Sequence, residues 1–283
     1  MSNPLKKLAS QTVVYGLGSV LPRVITFLFS FILTYLFKKP SELSANTEYY
    51  AYISFVNILF TYGMETAFFH FSNKIENKKL VYSTALMSIV GSSIGLSLLF
   101  ILFSGSIAEF IKDPDHSNFV IWCVLIVATD AMMAIPFARM RLNNQARRFG
   151  ALKLLNVTIF ILVSVFYFYI CKPAFYNEPA SYFASFYDPE IGVGYTFLAG
   201  LIANIVCLLF LAKEFLGIEY IFDKGLWKQM LSYAWPLLIL GFAGMINETF
   251  DRFILKYLLP EDIAKTELGI YGACYRIAML MTI

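Results

Sequence analysis

Residues 8–37 read LASQTVVYGLGSVLPRVITFLFSFILTYLF, and this run decides the class of the fold. It is long enough to cross a bilayer, because a helix needs about 20 predominantly apolar residues to span the hydrocarbon core. Arg23 lies near its middle and is its only formal charge. A charged side chain at that depth costs at least roughly 2.5–3.5 kcal/mol, so we expect Arg23 to face a polar interior rather than lipid.

The composition of the whole chain is that of a membrane protein. Of its 283 residues, 59% are hydrophobic and only 14% are charged, and the mean hydropathy is +0.67. The net charge of +3 is too small and too dispersed for a nucleic-acid-binding surface, so no nucleic-acid partner is expected. The four cysteines show no metal-ligand spacing and are interpreted as small hydrophobic residues. No metal site and no cofactor is predicted.

Seven further apolar blocks follow the first one, so the sequence predicts an all-α, polytopic membrane helical bundle. These blocks are residues 49–72, 80–111, 118–138, 151–171, 193–216, 229–258 and 268–283. The first seven of the eight blocks are long enough to span the membrane. The last block stops in mid-span, and we therefore expect the chain to be a fragment of a longer protein.

A weak internal repeat in hydropathy predicts two lobes. Residues 8–36, with the polar loop that follows them, parallel residues 231–258, and the offset contains an even number of spans. An even number keeps both copies in the same membrane orientation. The sequence thus predicts an N-terminal lobe of six transmembrane helices at residues 1–222, and the first two helices of a second lobe at 223–283. Within the first lobe, Gly91 and Gly95 form a GxxxG pattern, which predicts close helix packing.

The basic residues indicate how the chain is oriented. Alternate connections, starting with the N-terminus, carry thirteen lysines and arginines, whereas the intervening connections carry six. By the positive-inside rule the N-terminus is predicted to be cytoplasmic. The connection from Arg139 to Lys153 is strongly basic, which suits either contact with anionic lipid headgroups or a grip on the headgroup of a substrate.

Five charged residues inside the apolar blocks are the candidate functional residues. Arg23, Arg252 and Arg276 carry planar guanidinium groups that suit a phosphate or diphosphate, and they are the candidate substrate-binding residues. Glu65 and Asp130 are the candidate ion-coupling residues, for either protons or sodium, because buried carboxylates titrate readily.

A structural explanation remains open for each of these charges. Glu248 and Arg252 are spaced i, i+4 on one predicted helix, so they could neutralise each other, and Arg276 could pair with Asp251. Arg23 could likewise pair with one of the two candidate coupling carboxylates. Even then, paired charges at bilayer depth would imply an interior lined by protein.

An enzymatic function is not predicted. The chain has only two histidines, both at predicted membrane edges, and no base lies near a nucleophile or a metal cluster. The longest outer connection, residues 172–196, is rich in phenylalanine and tyrosine. These aromatic residues suit an interfacial belt, or alternatively a surface on which sugars stack.

Three stretches of the sequence resemble bacterial polysaccharide-biosynthesis membrane proteins. They are TYGMETAFFHFSN at residues 61–73; PFAR at 136–139, with RRF at 147–149 and KLLN at 153–156; and DRFILKYLLP at 251–260, with GIYG at 269–272. On these motifs the chain is identified as a member of the multidrug/oligosaccharidyl-lipid/polysaccharide exporter superfamily, on its oligosaccharide flippase branch. The resemblance covers the whole chain.

The resemblance implies a flippase of the bacterial inner membrane that works by alternating access between two lobes. Its substrate would be a lipid-diphosphate-linked oligosaccharide, moved to the outer leaflet for surface polysaccharide or O-antigen (lipopolysaccharide) biosynthesis. Implied partners are this lipid, membrane lipids, and a polysaccharide polymerase and glycosyltransferases of the same pathway. The alternative is a cation-coupled multidrug antiporter of the same superfamily, with Glu65 and Asp130 as the ion site. A membrane enzyme or a scaffold that transports nothing is a more distant alternative.

Overall fold

The computed structural model describes residues 4–37, 39–177, 179–217 and 219–278. Within these ranges the regular structure is helical throughout, which confirms the predicted all-α class. The helices are α1 (Pro4–Leu36), α2 (Pro40–Thr61), α3 (Met64–Lys74), α4 (Lys78–Leu102), α5 (Ser104–Phe110), α6 (Ser117–Leu142), α7 (Ala146–Val165), α8 (Lys172–Asn177), α9 (Tyr195–Leu216), α10 (Lys224–Leu258) and α11 (Glu261–Ala278). Short helical turns lie at Pro114–His116, Phe166–Cys171, Tyr182–Phe186 and Gly192–Gly194.

Six segments of the described chain are long and apolar enough to cross a membrane. They are Gly16–Leu36, Lys78–Leu102, Pro114–Leu142, Ala146–Asn177, Gly192–Leu216 and Lys224–Leu258. These segments match six of the predicted blocks and confirm a polytopic helical bundle. The second and the eighth predicted blocks are not among them.

The second block differs from the expectation because it is broken in its middle. Helix α2 ends at Thr61 and α3 begins at Met64. Between them Tyr62 and Gly63 have left-handed φ angles of 33° and 71°. A Cβ on Gly63 would lie 3.0 Å from the Cβ of Leu237 on α10, so only glycine suits both the φ angle and the close approach.

The described chain divides into two compact units. Unit 1 comprises Met1–Tyr50, Gly150–Ala203 and Asp251–Ile283, and unit 2 comprises Ala51–Phe149 and Asn204–Phe250. The predicted lobe boundary after residue 222 falls within unit 2 and stays a prediction.

In unit 2, α4 and α6 form an extensive helix contact. The α6 segment is also the most buried of the six membrane-crossing segments, with 61% of its apolar window covered by protein. Small buried residues occur on both helices: Ala85, Ser93 and Ser97 on α4, and Ala128, Ala131 and Ala138 on α6. Small side chains let membrane helices approach closely, which explains this contact.

The prediction that Gly91 and Gly95 mediate helix packing is wrong. Both glycines are exposed, and a Cβ added to either would lie more than 4 Å from every neighbouring atom in the described part of the chain. The buried residues of this part of α4 are Ser93 and Ser97. They lie two positions further along, which is roughly 200° around the helix, so the close contact uses the opposite face of α4.

In unit 1, aromatic residues form much of the core. The buried cluster contains Phe29, Leu33, Phe37, Leu43, Phe168, Cys171, Tyr187, Val193 and Tyr195. The Tyr195 ring stacks on Tyr167 with centroids 4.2 Å apart. Tyr187 is also buried, and burial raises its pKa to about 12. The aromatic outer connection therefore contributes partly to the core, whereas Tyr176 and Tyr182 are exposed.

Candidate functional site

Arg23 lies on α1, directly after Pro22, and its side chain is exposed. Pro22 lacks the N–H that would bind the carbonyl one turn earlier, so this turn of α1 is more polar than its neighbours. Within the described part of unit 1, Arg23 forms no ion pair. Among the described residues of unit 1, no carboxylate therefore compensates its charge.

Arg252 and its neighbour Asp251 contact tyrosines of α11. The Arg252 guanidinium lies 4.5 Å from the centroid of the Tyr275 ring, and its Nε is buried without a hydrogen-bond partner among the described residues. The Tyr271 hydroxyl donates a hydrogen bond to Asp251. Arg252 thus makes a cation–π contact within unit 1, and its pairing with Glu248 stays a prediction.

Arg276 follows Tyr275 directly on α11, but its side chain lies outside the described part of the structure. The proposed pairing of Arg276 with Asp251 is therefore not tested. All three candidate substrate-binding arginines belong to unit 1, on α1, α10 and α11.

Helix α11 packs tightly against α2 in unit 1 because it presents glycines there. A Cβ on Gly269 would overlap the carbonyl group of Pro40, and a Cβ on Gly272 would overlap the Thr47 side chain. This close approach fixes the position of the α11 tyrosines that contact Asp251 and Arg252.

A buried ion pair joins α2 to α10 in the same unit. The Lys256 ammonium group donates to the Glu48 carboxylate, and the two side chains are only 13% and 12% exposed. Because a lone charge at such a site is costly, each residue depends on the other. This pair was not predicted, since both residues lie near predicted polar connections, where charged residues are expected.

Glu65 lies on α3 in unit 2 and forms an ion pair with Arg141 of α6. The Arg141 guanidinium also lies 5.2 Å from the Phe69 ring centroid and 5.8 Å from that of Phe149. The Glu65 carboxylate at the start of α3 is thus compensated by Arg141 at the end of α6. On the sequence alone this arginine is explained by membrane topology.

Asp130 lies on α6, also in unit 2, and its side chain is exposed although the surrounding helix is well buried. Its Oδ1 accepts a hydrogen bond of 3.1 Å from Nδ2 of Asn204 on α9. The same Nδ2 lies 3.1 Å from Thr129 Oγ1 and 3.3 Å from the Ile126 carbonyl oxygen. Asn204 itself is only 5% exposed.

Glu214, at the end of α9, holds two arginines in unit 2. Its Oε2 accepts from Arg139 Nη1 at 3.2 Å, and its Oε1 accepts from Arg148 Nη1 at 2.6 Å. The Arg139 guanidinium lies 4.2 Å from the centroid of the Tyr82 ring, and the Tyr82 hydroxyl donates to the Glu214 carbonyl at 3.0 Å. The cluster joins the ends of α4, α6, α7 and α9.

The histidines and cysteines are engaged in ordinary contacts. His70 stacks on Tyr233 with ring centroids 4.3 Å apart, and His116 Nδ1 lies 2.6 Å from an Asp113 oxygen. All four cysteines are free thiols. Among the described residues, no group of three or more histidine, cysteine, aspartate or glutamate side chains is placed to hold a metal ion.

The model of a family described as "Polysaccharide biosynthesis protein" matches residues 5–283. The chain belongs to this family. The family match agrees with the resemblance seen in the sequence motifs and with the six membrane-crossing segments. No curated protein and no solved structure matches the chain.

Membership of the polysaccharide biosynthesis family assigns the chain to the flippases of the exporter superfamily and gives it a role in flipping or export in general. Members of the family are transporters and flippases rather than enzymes. The protein is accordingly a multi-pass membrane protein.

Sequence reasoning found the charged residues of this family member but missed most of their partners. Arg141, Asn204 and Glu214 were not candidates, although each holds a charged side chain in the structure. A signal existed for Asn204, since an amide in the middle of an apolar span is uncommon and usually has a polar partner. No such signal existed for Glu214, because it follows Lys213 at the end of its span, where charged residues are common.

Proposed function

We propose that this protein is a flippase that carries a lipid-diphosphate-linked oligosaccharide from the inner to the outer leaflet of a bacterial inner membrane. In this proposal the N-terminus is cytoplasmic, as the distribution of basic residues predicts. The observation that carries the proposal is Arg23, an exposed guanidinium in the middle of a membrane-crossing helix, with no ion pair in the described part of its unit. An uncompensated cation at that depth suits an anionic substrate.

The role of the arginines is to replace the water that the charged headgroup loses. Moving a diphosphate and its sugars away from bulk water is costly unless their oxygens find new hydrogen-bond donors. A guanidinium offers two parallel N–H groups to one phosphate. In addition, Arg252 has a buried Nε without a partner, so a phosphate oxygen that reaches it would satisfy a donor that is otherwise unpaired.

The lipid tail stays in the bilayer while the headgroup crosses. Rocking of the two predicted lobes, residues 1–222 and the part that starts at 223, would expose the headgroup first to the cytoplasm and then to the outside. Glycosyltransferases would complete the oligosaccharide before this step, and a polymerase would use it afterwards. Arg276 joins the substrate-binding residues in this proposal because it follows Tyr275, which Arg252 contacts.

A drug antiporter of the same superfamily is the alternative. A pump for cationic drugs would need uncompensated negative charge in its passage. Glu65, one of the two carboxylates offered for that role, is paired with Arg141, which argues against the alternative.

The test uses proteoliposomes that contain the protein and a fluorescent lipid-diphosphate-linked oligosaccharide, with an impermeant quencher to measure the rate of flipping. A charged hydrogen bond contributes about 1.5–3 kcal/mol, so Arg23→Ala should slow flipping roughly 10- to 150-fold. The flipping rate of Arg23→Lys should lie between those of the wild type and Arg23→Ala, because lysine keeps the charge but lacks the two parallel N–H groups of the guanidinium. The matched control is Lys228→Ala, which removes an exposed positive charge near the start of α10.

An unchanged rate in Arg23→Ala would remove Arg23 from the substrate path. Failure of the wild type to flip the lipid, together with resistance of expressing cells to cationic drugs, would favour the antiporter instead.

A further inference from the structure

A pocket of about 470 Å³ lies within unit 2, between the end of α2, the middle of α4 and the first half of α10. A volume of this size is in the range of pockets that hold small ligands. The α10 side of the pocket is formed by Trp227, Leu231, Trp235 and Leu238. These residues recur every three or four positions, so they form one continuous apolar face of the helix.

The few polar groups of the pocket are engaged with one another or with the backbone. Trp227 Nε1 donates to Ser88 Oγ at 2.8 Å, and the Tyr62 hydroxyl lies 2.7 Å from the same oxygen. Ser92 Oγ donates to the Ile89 carbonyl at 3.1 Å. Because these groups already have protein partners and the rest of the lining is apolar, the pocket suits hydrocarbon better than a sugar, a phosphate or water.

The pocket lies at the depth of one membrane leaflet. Helices α4 and α10 begin on the same side of unit 2, because the N–H group of Asp223, directly before α10, donates to Thr84 near the start of α4 at 3.3 Å. From Lys224 to Leu238 the helix rises about 21 Å. That distance covers one headgroup region and half of a hydrocarbon core about 30 Å thick. The pocket is open at its rim, where Trp235 is exposed, so a lipid can enter from the side.

A positive charge lies at the end of the pocket nearest the membrane surface. Lys224 is the first residue of α10, is exposed, and lies one turn before Trp227 on the face that carries the pocket residues. Within the described part of unit 2 it forms no ion pair. The neighbouring Asp223 caps α10, since its Oδ1 accepts from the Leu226 N–H group at 3.0 Å. The Lys224 ammonium group is therefore available to an anionic headgroup.

We infer that this pocket binds one acyl chain of an anionic phospholipid, whose phosphate lies at Lys224. The apolar lining holds the chain, the lysine holds the headgroup, and the distance between them is that of one leaflet. By the predicted orientation this is the cytoplasmic leaflet. A bound chain completes the packing of α10 against α4. The inference does not depend on which substrate the protein moves.

The test measures quenching of tryptophan fluorescence by lipids that are brominated on their acyl chains, which quench only at close range. The chain has three tryptophans, so Trp122→Phe combined with Trp235→Phe leaves Trp227, a half-buried residue of the pocket, as the reporter. This reporter protein is placed in phosphatidylcholine bilayers that contain brominated phosphatidylglycerol or brominated phosphatidylcholine. Phosphatidylglycerol should be preferred roughly fivefold at Trp227, which is the contribution of one lysine to binding an anionic lipid.

Two variants of the reporter protein separate the headgroup from the chain. Lys224→Gln should bring the preference for phosphatidylglycerol close to parity, whereas Lys74→Gln, which changes an exposed lysine at the end of α3, should keep it. Leu231→Phe adds a ring beside Trp227 and should lower the quenching by brominated phosphatidylglycerol roughly twofold, because the ring takes the place of the chain. The matched control is Leu209→Phe, on the exposed face of α9, which should leave the quenching unchanged.

Equal quenching by the two lipids in the reporter protein would reduce the pocket to a contact with bulk lipid and overturn the inference. A preference that survives Lys224→Gln would overturn it too, and this result decides the question if Leu231→Phe fails to fold. Displacement of brominated phosphatidylglycerol by an equimolar amount of unlabelled lipid-diphosphate-linked oligosaccharide would overturn the phospholipid as the occupant and assign the pocket to the substrate. The measurement involves no transport, so a protein that flips no lipid can still show the preference.

Discussion

Replacing Gly63 with alanine adds one methyl group at the junction between α2 and α3. The backbone there has a φ of 71°, and an L-residue in the left-handed region costs about 1–2 kcal/mol. The new Cβ would also lie 3.0 Å from the Leu237 Cβ and 3.2 Å from the Ala234 carbonyl oxygen of α10. Such overpacking costs about 1–3 kcal/mol. We expect Gly63→Ala to destabilise the folded protein by about 2–5 kcal/mol.

The matched control is Gly91→Ala on α4. Gly91 is helical and a Cβ there meets nothing within 4 Å, so alanine should leave stability unchanged or raise it by up to about 1 kcal/mol. Both variants are compared with the wild type by thermal unfolding in one detergent. If Gly63→Ala unfolds at the wild-type temperature, neither the left-handed turn nor the approach of α10 is needed, and the explanation of the broken second block is refuted.

Two further predictions concern side chains. Glu214→Gln should lower the free energy of unfolding by about 1–3 kcal/mol, because it leaves Arg139 and Arg148 without their shared carboxylate. The control is Glu219→Gln, which changes an exposed side chain and should alter the free energy of unfolding by less than about 0.5 kcal/mol in the same assay. Burial raises the pKa of Tyr187 to about 12, so the folded state favours the protonated hydroxyl. That stabilisation is complete below pH 10 and is lost as the pH rises toward 12. The free energy of unfolding of the wild type should therefore fall relative to that of Tyr187→Phe between pH 10 and pH 12. Parallel stability–pH curves for the two proteins would contradict this prediction.

The membrane-crossing helices could be predicted from the sequence because hydropathy and bilayer thickness set their lengths. The predicted block at residues 118–138 lies inside the segment Pro114–Leu142, and the block at 229–258 lies inside Lys224–Leu258. In both cases the helix continues past the apolar residues by a few positions. Polar residues extend a helix beyond the hydrocarbon without changing the hydropathy signal.

The break between α2 and α3 could not be predicted with the same rules. A single glycine in an apolar run is compatible with a continuous helix, a packing contact or a turn. What distinguishes these possibilities at Gly63 is the close approach of Ala234 and Leu237, residues far away in sequence. For Gly91 and Gly95 the same ambiguity led to a packing contact being predicted where the described residues show none, because their GxxxG pattern lies on an exposed face of α4.

The partners of the charged residues escaped prediction because they are distant in sequence. Arg252 lies over a tyrosine of the next helix, a contact that the local i, i+4 rule did not indicate. Glu65 pairs with Arg141, 76 positions away. A sequence shows which charges enter the membrane, but the packing of helices decides which of them are compensated.

That distinction changes how the charge of such a protein should be interpreted. A tally of residues within the apolar blocks gives nearly equal numbers of acids and bases, and it does not separate a passage for anions from a passage for cations. In the structure Glu65 is compensated by an arginine, whereas Arg23 has no ion pair in the described part of its unit. Because compensated pairs add little net field, the substrate preference depends on the remaining charges.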